Sequence, residues 1–153
     1  MTPQELTKKL KTVAKEIQHD CANIIAETSV EYFKDSFKRK AFNGRSWKRT
    51  VKRTGSTLIE SGNLMNSIRP TEVTDKKVVI AAGNEKVAYA RVHNEGGVQY
   101  VKPHHRAGRK DKRHQVKGYS YKATKRQFMG ESQELNEAIN KRITEHLKQQ
   151  FNQ

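Results

Sequence analysis

A chain of 153 residues with 33% hydrophobic and 31% charged side chains can fill one modest core and not two, so a single domain spanning 1–153 is expected. Its lone cysteine excludes a disulfide framework or a multi-cysteine zinc site, and no apolar run approaches the roughly 18 residues of a membrane span, so a soluble chain made in a cytoplasm is expected. The net charge of +15 is local: Lys38 to Arg53 carries +8 and Val98 to Gln127 carries +9, which leaves the rest at −2.

In chain order, "TPQEL" opens a helix, with Thr2 and Glu5 placed for a capping box and Pro3 at the first helical position. Leu6, Leu10, Val13, Ile17, Cys21, Ile24, Thr28 and Tyr32 then recur every three or four residues, with Ile25, Phe33 and Phe37 widening the stripe. That predicts one amphipathic helix of roughly 50 Å, long enough for part of it to project or bend. Its stripe reads as core packing, with an oligomer interface as the alternative. Cys21, on the stripe, is expected as a buried small hydrophobe.

"FNG" at 42–44 stops the helix, and the basic "RSWKRTVKRTGST" reads as a loop that Trp47 pins to the body. "TLIESGNLMNSI" contains a helical turn with Leu64, Met65 and Ile68 inward and Ser61 as cap. "SIRPTEVTDKKVVIAAG" is a hairpin turning at "TDKK". Val87 to Asn94 is predicted as a short helix with Ala88, Tyr89 and Val92 inward, ended by Gly96 or Gly97. Residues 98–127 are basic and poor in apolar side chains apart from Tyr100, Tyr119 and Tyr121, which predicts a long mobile loop or an extended hairpin. A second helix closes the chain, with Ser132 near its cap and Leu135, Ile139, Ile143, Leu147 and Phe151 every four residues.

Each chemistry-bearing residue also has a plain structural role open to it. His93, Asn94 and Glu95 could form the polar end of an active site, but they stand where a helix ends, and a hydrogen bond from His93 that fixes that end is the expected job. His19 and His146 read as solvated. His104, His105 and His114 cluster among cations that oppose a metal ion. There is no H-E-x-x-H, G-x-S-x-G, phosphate-binding glycine loop or C-x-x-C. The expectation is therefore no enzyme, no catalytic residue, no metal and no cofactor. The basic segments, with Lys48, Arg49, Lys52, Arg53, Arg106, Arg109, Lys110, Lys112, Arg113 and Lys117, are candidates for a polyanion or an acidic protein, or for a merely solvated charge run.

The order of the motifs resembles the Mu-like phage virion morphogenesis (tail completion) family. The resemblance rests on Gly44 and Trp47; Leu58, Ser61, Gly62, Leu64 and Ser67; Tyr89, Ala90, His93 and Gly96; and Arg126, Phe128 and Gly130, and it covers nearly the whole chain. Gln127 stands where the family usually has proline. The resemblance implies an α+β fold: a long N-terminal helix and a C-terminal helix packed on a small antiparallel β-sheet, with a long basic loop. It also implies a non-enzymatic virion structural protein that completes the tail or joins it to the head. The partners would be other tail or neck proteins and further copies of the chain, a ring among the arrangements, with DNA as the alternative partner and no membrane. Such a protein would be assembled in the bacterial host cytoplasm and kept in the virion.

Overall fold

The computed structural model describes residues 1–49, 57–59, 61–107 and 113–152. Helix α1 runs Pro3–Arg39, and its capping box forms as expected: the Thr2 amide donates to the Glu5 carboxylate at 2.7 Å and the Glu5 amide to Thr2 Oγ1 at 3.3 Å. It ends where Lys40 turns left-handed at φ 53° and returns its N–H to the Ser36 carbonyl. Strands β1 (Ala41–Phe42) and β2 (Arg45–Ser46) pair across an Asn43-Gly44 turn, so the predicted loop begins with a miniature hairpin. Helix α2 (Asn63–Asn66) buries Leu64, and Ile68 follows it into the core; Met65 is half-buried, and Ser61 Oγ accepts from the Asn63 amide at 3.4 Å.

Strands β3 (Arg69–Thr74) and β4 (Lys77–Ala81) form the predicted hairpin, with a register shift between Pro70 and Glu72. A 3₁₀ turn (Glu85–Val87) then leads into α3 (Ala90–Glu95). This break resets the helical phase. Val87 and Ala90 face the core, while Ala88 and Tyr89, expected inward, are exposed. Residues 97–107 and 113–123 pair in two successive antiparallel ladders: β5 (Gly97–Val101) with β8 (Tyr119–Ala123), then β6 (His104–Ala107) with β7 (Arg113–Val116). Helix α4 (Gln133–Phe151) closes the chain, its first turn capped by Ser132, whose Oγ accepts from the Leu135 amide.

The fold is therefore α+β, and its strands form four separate two-stranded antiparallel ladders among the described residues. The core gathers Phe33, Phe37, Phe42, Leu64, Ile68, Val87, Ala90, Phe128 and Leu135. Helix α4 lies antiparallel to α1: Glu134 meets Tyr32, Arg142 meets Glu31 and Thr28, and His146 meets Asp20. At the other side the tip of β3–β4 meets α1 at His19, whose Nδ1 is 3.6 Å from Asp75.

Three expectations change here. The stripe on α1 is core only from Ala22 onward; Leu6, Leu10 and Val13 are exposed, because α4 has 19 residues against the 37 of α1 and runs out before it reaches them. Cys21, at the edge of this covered part, is half-buried. His19 and His146 are not simply solvated: each faces a carboxylate, though His146 Nε2, 3.3 Å from Asp20, lies off the hydrogen-bonding direction.

Candidate interaction site

The segments carrying the sequence motifs meet at one junction. Residues 126–129 have no regular structure, so their backbone groups need partners from elsewhere. The end of α3 supplies most of them. The carbonyl of His93 accepts from the Arg126 amide at 2.8 Å, and Asn94 Oδ1 accepts from the amides of Phe128 and Met129 at 2.9 and 3.0 Å. Trp47 Nε1 donates to the Gln127 carbonyl at 2.7 Å, and Arg126 Nε donates to the Lys48 carbonyl at 3.3 Å. Held on both sides, the segment drives Phe128 into the core, its ring centroid 5.0 Å from that of Phe37, which also meets Trp47 edge-on at 5.6 Å.

The polar trio 93–95 is thus divided among separate tasks. Glu95 pairs with Arg91 at 2.9 Å. Asn94 does the fastening assigned by expectation to His93. The His93 imidazole is half-buried, edge-on to Tyr89 at 5.5 Å, and is held below its ordinary pKa by burial and then by the charge of Arg126. It contributes a neutral ring and its backbone carbonyl. Gly96 follows at φ +72°, where an added Cβ would lie 2.9 Å from the Lys125 amide nitrogen; only glycine lets the chain leave α3 beside the returning strand.

A second knot ties the start of α4 to α1. Tyr32 donates to the Glu134 carboxylate at 2.7 Å and lies 2.8 Å from Ser132 Oγ, which donates to Asn43 Oδ1 at 3.2 Å. Arg39 stacks on the Tyr32 ring and reaches Glu134 at 3.3 Å. The Tyr32 hydrogen bond, aided by Arg39, holds the Glu134 carboxyl below the usual carboxylate range. Gly44, in the β1–β2 turn, sits against Glu134, whereas Gly62 and Gly130 stand at the entrances to α2 and toward α4.

Between the β1–β2 hairpin and the base of the β5–β8 ladder lies an open cleft of about 950 Å³. Arg45, Lys48, Lys122 and Lys125 line it against Glu95 and Glu131. The two basic segments, far apart in sequence, therefore share one cavity. From its rim the β5–β8 and β6–β7 ladders extend as a ribbon. Alternation puts Val98 and Tyr100 with Ser120 and Lys122 on one face, and Gln99 and Val101 with Tyr119 and Tyr121 on the other. Val98 (72% exposed), Tyr100, Tyr119 and Tyr121 all stand in solvent.

A model of the phage virion morphogenesis family matches residues 5–148. The chain belongs to the phage virion morphogenesis family. Searches of the curated proteins and of the solved structures found no match. Membership supports a phage virion structural role, association with the virion and other virion proteins as partners. In this morphogenesis protein Gly44, Trp47, Gly62, Leu64, His93, Gly96, Phe128 and Gly130 belong to the body and its turns, while Tyr89 is largely exposed beside His93. Of the cationic candidates, Lys48 lines the cleft, Arg49 follows it, Arg106 lies on β6, Arg113 opens β7 and Lys117 links β7 to β8. Lys52, Arg53, Arg109, Lys110 and Lys112 lie outside the described residues. Sequence reasoning did not single out Arg45, Lys122 and Lys125, since only the folding of the ribbon back to β2 brings them together. Among the described residues, no group of three or more His, Cys, Asp or Glu could hold a metal ion, and no helix is long and apolar enough to cross a membrane.

Proposed function

We propose that this phage virion morphogenesis protein completes the tail or joins it to the head, without catalysis, by laying its ribbon and cleft on an acidic surface of a neighbouring tail or neck protein. The observation that carries this reading is the ribbon, which pairs with itself and leaves Val98, Tyr100, Tyr119 and Tyr121 in water among Lys102, Arg106, Lys117 and Lys122. A two-stranded ribbon is marginally stable alone in water, so a partner that covers its apolar faces stabilises it as well as the joint. Tyrosines give such a contact large buried area at small entropic cost, and the cations steer it toward an acidic patch. Arg45, Lys48, Lys122 and Lys125 in the cleft receive carboxylates of the same partner. The chain is assembled into the particle in the host cytoplasm as several copies, so that weak contacts add up to a durable joint.

Complementation tests this. A phage lacking the gene should leave separate heads and tails by electron microscopy. The wild-type protein should rejoin them, and the Tyr100→Ser/Tyr119→Ser/Tyr121→Ser protein should fold and fail to do so. Joined, infectious particles without the gene would overturn the proposal. So would tight, salt-dependent binding of the purified protein to generic duplex DNA through these same side chains, which would make it a nucleic-acid-binding protein.

A further inference from the structure

The residues of α1 that precede His19 and Asp20, which face Asp75 and His146, are exposed except for Ile17, which is half-buried. They nonetheless carry an apolar seam, Leu6, Leu10, Val13 and Ile17, spaced four, three and four residues apart, the interval of a two-stranded coiled coil. Leu10 is 61% exposed and Leu6 and Val13 are about half exposed, while Ile17, at the end of the seam, is half-buried. The next seam position is Asp20, which faces His146, so the seam stops where the covering of α1 by its own chain begins.

We infer that this arm pairs antiparallel with the same arm of a second copy. The charge pattern chooses both the occupant and its direction. One flank of the seam carries Lys9 and, seven residues on, Glu16; the other carries Thr7 and Ala14, small enough for close approach. In an antiparallel pair like flanks face each other, so Lys9 of each copy lies beside Glu16 of the other, twice over, while Leu10 packs on Val13 and Leu6 on Ile17. A parallel pair would instead set Lys9 against Ala14 and Glu16 against Cys21, and neither charge would find a partner. The contact is two-fold and closes at two copies, leaving each copy's ribbon and cleft free for other virion proteins. A seam of two heptads is weak alone, which suits a joint made only when many copies are brought together. The inference does not rest on the joining role, because it is read on the purified protein.

Sedimentation equilibrium of the full chain from about 10 μM to about 1 mM brackets the affinity of such a short seam. The average mass should rise from 17.6 kDa toward twice that. Leu10→Glu should hold it at the monomer value, with unchanged circular dichroism because Leu10 is exposed. Lys9→Glu and Glu16→Lys should each weaken association by roughly threefold to tenfold, since each replaces two attractive pairs with two repulsive ones. The double Lys9→Glu/Glu16→Lys protein should recover wild-type association. A wild-type protein still monomeric at the highest concentration would overturn the inference, as would a double variant no better than the singles.

Discussion

Asn94 carries a larger share of the fold than its exposed-looking motif suggests. Replacing it with alanine leaves the amides of Phe128 and Met129 without the acceptor that now lies 2.9 and 3.0 Å away, in partly buried surroundings. An unsatisfied buried donor costs about 1–3 kcal/mol, and water reaches a partly buried pair to some degree, so Asn94→Ala should lose about 2–4 kcal/mol. For a chain of this size each kcal/mol lowers Tm by roughly 2–4 °C. Asn94→Asp keeps an acceptor in the same place and should lose less than about 1 kcal/mol. Trp47, the only tryptophan, is bonded to the adjacent Gln127 carbonyl, so its fluorescence in urea reports on this junction directly. An Asn94→Ala protein within about 0.5 kcal/mol of wild type would refute the clasp. Equal damage from aspartate would refute the claim that the acceptor oxygen is what matters.

Two further predictions follow from the same junction. Phe128 is buried against Phe37, so Phe128→Ala should cost about 3–5 kcal/mol in urea unfolding, and a loss below about 1 kcal/mol would mean the aromatic pair is not central to the core. His93 has its pKa lowered in the folded chain by burial and by Arg126, so the unfolded chain binds its proton first as pH falls below 6.5; stability from the neutral ring is complete above that pH and declines below it. His93→Gln should therefore flatten the fall in Tm between pH 6.5 and pH 5, and an unchanged slope would place the acid sensitivity elsewhere.

Local signals were legible where the physics is local. Thr2, Pro3 and Glu5 announce the start of α1, Ser132 that of α4, and the cluster Val78, Val79 and Ile80 the strand β4. The motif resemblance was legible too, and Trp47 was rightly expected to fasten its loop. What escaped is contact across long stretches of chain. Nothing near Asn94 indicates that its partners lie 34 and 35 residues on, and nothing near Tyr32 points to Glu134. The same periodicity that marks Phe33 and Phe37 as core also marks Leu6 and Leu10, because a helix pattern records which face is apolar and not what covers it. The shift from Ala88 and Tyr89 to Val87 and Ala90 turns on one short 3₁₀ segment that no period reveals. The cleft needed Arg45 and Lys122 to meet, which only the return of the ribbon accomplishes.

The most direct test of the joining role is electron cryomicroscopy of the complete phage particle. The account predicts density for this α+β body at the junction of tail and head, with Tyr100, Tyr119 and Tyr121 of the ribbon covered by a neighbouring protein. Density only within the packaged DNA, or a mature particle without the chain, would contradict it.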